Sequence, residues 1–470
     1  MVVICRTVLK TSVQTTQKVS YLLMALLAAG LCFVPLFNVL SYEFSLAISL
    51  LTTATSFSMG LERASQSRQL SRAWIQALGH SYGQLILPLS FISLNALRVR
   101  NCDFEIGFVF FFILPVISAT LNSALGVLAY ALFKPKNVLH RMGTGLIFLG
   151  APLVSILWDF YTQPPISVFS HVWGYNPGTL YDEAIAPDER LLAWRMMTIL
   201  CALTTVGLLN GFDRLNIDRL KKAGVTALLA LCFFQIDQQV GSSYLYRVDR
   251  EVLEQKLSVT REAPGLIIHL PKDTHPKRAD AILEDHRFQL DRLKEKLAMD
   301  EFQTIHSYVY TNAKMKGSLL GGRNTMFAKP WLGEIHIHGL EVPHKVVAHE
   351  LVHAVAAPLG TSILQVTTRF GIIPNMGLIE GFAEAFTTPR GKLGLHEYAR
   401  SMRDLKLAPK MENLITAEDF WSQAPARAYT ITGSFVRYLL EQYGPEPLKK
   451  AYAHADFESS FGKSLKTLVH

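Results

Sequence analysis

The sequence predicts an all-α polytopic membrane domain over residues 1–245, followed by an α+β domain over 246–470 built from a small sheet and a helical lobe. Three observations carry this prediction. Hydrophobic residues make up 50% of the 470 positions and charged residues only 18%, too apolar for an ordinary soluble chain. The apolar excess is concentrated in the first 240 residues, in runs close to the length of a bilayer-crossing helix. From about residue 246 charged residues return, and the apolar positions follow helix and strand periods instead.

A hydrocarbon core about 30 Å thick takes roughly 20 apolar residues of helix. Seven runs are expected to cross it: 19–40, 43–60, 80–97, 106–132, 142–160, 191–211 and 223–241. The first is long, lacks a clean small-residue cleavage site and is followed by further runs, so it reads as a retained helix, not a cleaved signal. Arg6, Lys10 and Lys18 precede it, and further positive clusters occupy every second loop: Arg63, Arg68 and Arg72; Lys134, Lys136 and Arg141; Arg214, Arg219, Lys221 and Lys222. The loops between are neutral or acidic, most clearly the one with Asp182, Glu183, Asp188 and Glu189. This alternation places the amino terminus in the cytoplasm. Seven crossings then put the second domain on the periplasmic or extracellular side of an integral membrane protein, as in a bacterial inner membrane. The net charge of +8 is absorbed by these loops, so the expected partner is the lipid bilayer and not nucleic acid. Arg195 and Asp237 lie near the ends of their runs, where snorkelling to the interface is the expected behaviour. All five cysteines precede residue 240 without metal-ligand spacing, so the second domain needs neither a disulfide nor a thiolate site.

In the second domain Arg278 to Met299 has helical apolar spacing with dense charge. Leu257–Val259, Leu266–Leu270 and His306–Tyr310 read as strands, and the run Trp331 to His338 alternates like one until Gly339 ends it. Beyond that point the chain reads as helical to its end.

The sharpest chemical signal is His349-Glu350-Leu351-Val352-His353. Pro343 suits the first turn of a helix there, and Pro358 with Gly360 marks its end. One helical turn separates the two histidines, so both imidazoles reach one point in front of a single face. Zinc accepts imidazole nitrogen, and two such ligands plus a carboxylate leave a fourth position for water. Glu350 is placed to take a proton from that water without binding the metal. The missing acid is expected on a helix from Met376 to Thr387, capped by Asn375 and stopped by Pro389 and Gly391. Glu380 is assigned to the metal, and Glu384, one turn on, to the far nitrogen of a ligand histidine. Gly381 would let this helix approach the first closely.

The pair HELVH and LIEGFAEAF resembles the gluzincin metallopeptidases, the clan of thermolysin and the aminopeptidase N-like enzymes, over roughly residues 300–445. The resemblance implies a gluzincin-like peptidase fold, one Zn2+ per chain and a peptide or protein substrate. It makes Glu380, which opens the E-G-x-A motif, the third ligand. It implies a substrate-binding edge strand before the zinc helix, where Gly333, Glu334, Ile335 and His336 stand. It also implies an oxyanion donor in Tyr429, on a helix from Ala426 to Tyr443. The spacing from Tyr429 to Gly433 is one residue longer than in the usual motif. The gap between His353 and Glu380 is longer than in the aminopeptidases, and their G-x-M-E-N motif is absent, which favours endopeptidase over exopeptidase action. His336 and His338 share a strand face and are read as strand-surface residues, and His344 as a helix-start residue. Two competing readings are a seven-span transporter or sensor whose protease-like domain only binds, and a site-2-type intramembrane protease.

Overall fold

The computed structural model describes residues 2–178, 185–215, 217–387 and 393–469. The acidic pair Asp182 and Glu183 and the helix stops Pro389 and Gly391 lie outside the described residues. The chain divides into two compact units, Met1–Asp249 with Leu319–Gly321, and Arg250–Ser318 with Gly322–His470.

The first unit holds helices α1 (Val2–Leu31), α2 (Tyr42–Gln66), α3 (Leu70–Asn95), α4 (Phe104–Phe133) and α5 (Val138–Thr162). A two-stranded hairpin follows, β1 (Val168–Ser170) and β2 (Gly174–Asn176), then α6 (Glu189–Arg214) and α7 (Arg219–Tyr244). Among the described residues five of these helices, α2, α4, α5, α6 and α7, are long and apolar enough to cross a membrane. The expected seven runs thus include two that differ. The first was expected to reach residue 40, yet its helix stops at Leu31, leaving only a short apolar stretch after Lys18. In α3 the expected run 80–97 is diluted by His80, Gln84 and Asn95.

Two local features follow from single residue types. Pro115 in α4 has no N–H to give, and the helix widens into a π turn at Phe112–Val116 that accommodates its ring. Helices α2 and α4 meet through glycines: a Cβ on Gly60 would lie 2.2 Å from the Ser123 carbonyl oxygen, and one on Gly126 would lie 2.1 Å from that of Phe57. Such close backbone approach is how apolar helices pack where surrounding lipid offers no hydrophobic drive.

The expected snorkelling of Arg195 and Asp237 is corrected: they are 2% and 1% exposed. Asp237 accepts hydrogen bonds from the Tyr246 hydroxyl at 2.8 Å and Arg247 Nε at 2.7 Å, with His171 Nε2 at 3.0 Å. Burial is tolerated because each carboxylate oxygen has a donor.

The second unit is built on a five-stranded sheet of β3 (Val259–Ala263), β4 (Leu266–Leu270), β5 (Ile305–Tyr310), β6 (Phe327–Lys329) and β7 (Glu334–His338), in the order β3-β4-β5-β7-β6. The inner pairs β4/β5 and β5/β7 are parallel and the outer pairs antiparallel. The helices that frame the site are α8 (Pro276–Leu297), α9 (Val347–Val355), α10 (Met376–Glu384) and α11 (Pro425–Tyr443). The alternation of each strand fixes its faces. Ile268, Val309, Ile335 and Ile337 join Ile282, Leu290 and Leu293 of α8 and Leu351 of α9 in one core. Each such side chain contributes roughly 1.5–3 kcal/mol by leaving water. The opposite face stacks His269, Tyr308 and His336, with ring centroids 4.5 and 5.1 Å apart. His336 is therefore buried, not a surface residue as expected. Residues after 339 are not wholly helical: a short hairpin, Thr368–Arg369 against Ile373–Pro374, fills the gap between His353 and Glu380.

Candidate metal centre

In α9 the apolar positions Val347, Ala348, Leu351, Val352 and Val355 turn into the core. That leaves His349, Glu350 and His353 together on the remaining face. The helix starts at Val347, so the expected role of Pro343 in its first turn is corrected. His344 also precedes the helix, and its backbone N–H donates to Asp285 Oδ2 at 2.7 Å, which ties the entry of α9 to α8.

Helix α10 begins after Asn375, whose side chain donates to Thr367 Oγ1 at 3.0 Å and makes no cap bond. Its glycine meets a different helix from the one expected. A Cβ on Gly381 would lie 3.0 Å from Thr432 of α11, and one on Gly433 would lie 2.7 Å from Glu384 Cγ. The two glycines thus let α10 and α11 close on each other, and this sets the depth of Glu380 and Glu384.

The structure brings together His349, His353 and Glu380, whose ligand atoms lie within 4.8 Å of one another. His349 Nε2 is 3.2 Å and His353 Nε2 3.7 Å from the same oxygen, Glu380 Oε2. His349 Nδ1 faces Glu384 Oε2 at 3.5 Å, so its two nitrogens have separate carboxylates. Glu350 and His353 are buried, and His349 and Glu380 half-buried. Tyr429 lies beside them, its ring centroid 6.2 Å from that of His349 and its hydroxyl hydrogen-bonded to Glu380.

The charged groups of this cluster shift one another. Burial works against protonation of His349, but Glu380 and Glu384 outweigh it and lift the imidazole to about 10. Burial resists ionisation of Glu380, yet His349, His353 and Tyr429 hold its carboxyl below the usual range. His353 is pushed down to about 4 by burial and stays neutral, the form that ligates metals. Burial raises Glu350 to about 7, where a carboxylate is a useful base near neutrality.

The expected substrate strand needs correction. Residues Glu334, Ile335 and His336 pair with β5 on one side and with β6 on the other, so β7 is an inner strand. Glu334 takes Arg250 Nε at 3.1 Å, Ile335 is in the core, and Gly333 turns the chain with φ +65°. These four residues support the sheet. The edge nearest the metal helix is β6, a three-residue strand too short to stand out by alternation. Sequence reasoning also missed Lys316, a fully buried lysine that donates to the Thr325 carbonyl at 2.6 Å and acts electrostatically on Glu350. A lone lysine carries no spacing signal that would have found it.

No protein-family model matches the chain, and no characterised protein is significantly similar to it.

Proposed function

We propose that this chain is a membrane-anchored zinc peptidase of the gluzincin kind, hydrolysing peptide bonds within a chain. The observation that carries the reading is the convergence of His349, His353 and Glu380 on one point, with Glu350 on the same helix face. Two imidazole nitrogens and a carboxylate oxygen are the donor set that zinc takes in hydrolytic sites, and Glu384 behind His349 is the usual outer partner that fixes a tautomer. One zinc ion per chain fits this set.

Zinc held there would act as a Lewis acid on a water and on the scissile carbonyl. Glu350 takes the proton from the attacking water and returns it to the leaving amine; its buried carboxyl near 7 suits both transfers. Tyr429 donates its hydroxyl hydrogen to the oxygen that gains charge at the tetrahedral stage. An extended peptide has the outer edge of β6 to lie along, which pairs with no other strand among the described residues. The amino terminus is assigned to the cytoplasm and the catalytic unit to the opposite face of the membrane, from the loop charges.

The site-2-type alternative is disfavoured by the ligand helix itself. Helix α9 has nine residues, and it is not among the five candidate spans. The test is hydrolysis of a fluorogenic peptide mixture by the purified full chain and by Glu350→Gln, with zinc measured in both. Cleavage by the wild type alone, at equal zinc content, is the expected result. A zinc-loaded wild type that cleaves nothing would favour a binding module instead.

A further inference from the structure

The first unit contains a cavity of about 450 Å³ whose lining, among the described residues, belongs to that unit. It lies where the carboxyl-terminal ends of α5 and α7 meet the β1–β2 hairpin. Its walls include Ile156, Phe160 and Val172, while Asp159 and Arg247 bring opposite charges to the same space.

Arg247 is held from behind. Its Nε donates to Asp237 Oδ2 at 2.7 Å, and Asp237 is itself anchored by Tyr246 and His171. Among the described residues the bond to Asp237 is the only side-chain hydrogen bond of Arg247, which leaves its two terminal amino groups available in the cavity that the residue lines. The guanidinium fork matches a carboxylate or another planar anion. Asp159 has an exposed side chain one turn from the end of α5 and makes no side-chain hydrogen bond or ion pair among the described residues. Arg247 acts on it electrostatically, yet the two do not come within the 4.0 Å of a salt bridge. Asp249, which also lines the cavity, has an interaction of its own.

Two opposite charges in one cavity would close on each other if nothing held them apart. Here Arg247 is fixed by Asp237, and Asp159 by the helix that carries it. The volume between them falls in the usual range of small-molecule sites, roughly 300–1,000 Å³, and is more than a bare ion requires.

We propose that this cavity binds a small zwitterion of the amino-acid or dipeptide class, its ammonium on Asp159, its carboxylate on Arg247 and its side chains against Ile156 and Phe160. The proposal does not depend on the peptidase reading. It is tested with the full chain in lipid nanodiscs, in a Glu350→Gln background so that no probe is cleaved. Alanyl-leucine, its N-acetyl form and its carboxyl-terminal amide are the probes, read by calorimetry. The free dipeptide is expected to bind at least tenfold more tightly than either blocked form. Asp159→Asn, at an exposed position, is expected to erase the advantage over the N-acetyl form and keep the advantage over the amide. Equal binding of all three probes, no binding at millimolar concentration, or unchanged discrimination in Asp159→Asn would each overturn it.

Discussion

The candidate metal centre and the Asp237 cluster both set histidine against a buried or half-buried carboxylate, and they differ in how the partners are arranged. At Asp237 the partners include a tyrosine O–H and an arginine N–H, each with a hydrogen to give, so the carboxylate is satisfied by the protein alone. At Glu380 two imidazoles aim Nε2 at a single oxygen, and one of them, His353, is neutral. Two imidazole nitrogens and a carboxylate oxygen converge there within 4.8 Å of one another. The first arrangement is what a structural polar cluster needs; the second is the one the proposed zinc would complete.

The largest effect separating the two is catalytic. Replacing Glu350 by Gln removes the proposed general base, and peptide hydrolysis is expected to fall by about 10²–10⁴-fold with zinc content unchanged. Steady-state rates beside elemental analysis check it. Activity within tenfold of wild type would remove Glu350 from the chemistry.

On the structural side, Asp237→Asn leaves Arg247 without its counter-charge. Breaking a buried pair of this kind costs about 3–5 kcal/mol, read as a lowered midpoint of denaturation. Glu380→Gln, measured in metal-free protein, is expected to cost less, because the amide oxygen still accepts from Tyr429 and Glu384 still faces His349. Equal losses in the two variants would erase the distinction.

A third effect uses a histidine that belongs to neither cluster. His286 is buried with Nδ1 at 2.9 Å from the Ile282 carbonyl and Nε2 at 2.9 Å from Ser307 Oγ. Burial lowers it from 6.5 to about 4. The unfolded chain therefore takes this proton first as the pH falls. Its contribution is whole above pH 6.5 and lost on acidification toward pH 4, by about 3 kcal/mol. Denaturant midpoints across that window should decline with pH, and His286→Asn should flatten the slope. A slope identical in the variant would assign the acid sensitivity elsewhere.

The smallest effect concerns Glu384. Without its carboxylate behind Nδ1 of His349, zinc affinity is expected to drop 10–100-fold, as for other outer partners of ligand histidines. Competition with a chelator measures it, and an unchanged affinity would leave Glu384 a packing residue against Gly433.

What could be read from the sequence was local. His349 and His353 declare themselves by one helical turn, and Glu380 and Glu384 by another, because helical spacing alone decides which side chains share a face. The rest depended on pairings between distant residues. That β7 is inner follows from Phe327–Lys329 folding back onto Glu334–His336. The partner of Gly381 is Thr432, half a hundred residues away, and sequence offers no register between two helices. The saturation of Asp237 required His171, Tyr246 and Arg247 to converge from separate segments. Seven helices appeared where seven apolar runs were read, yet the length of the first and the polarity of the third were misjudged, because a run's edges depend on where the helix ends and not on hydropathy alone.

Zinc content of the purified full chain, set beside that of Glu380→Ala and His353→Ala, bears most directly on the chelate at the centre of these proposals. One zinc per wild-type chain, lost in both variants while the fold of each persists, is the expected result. A wild type without zinc, or one whose zinc survives both substitutions, would contradict it.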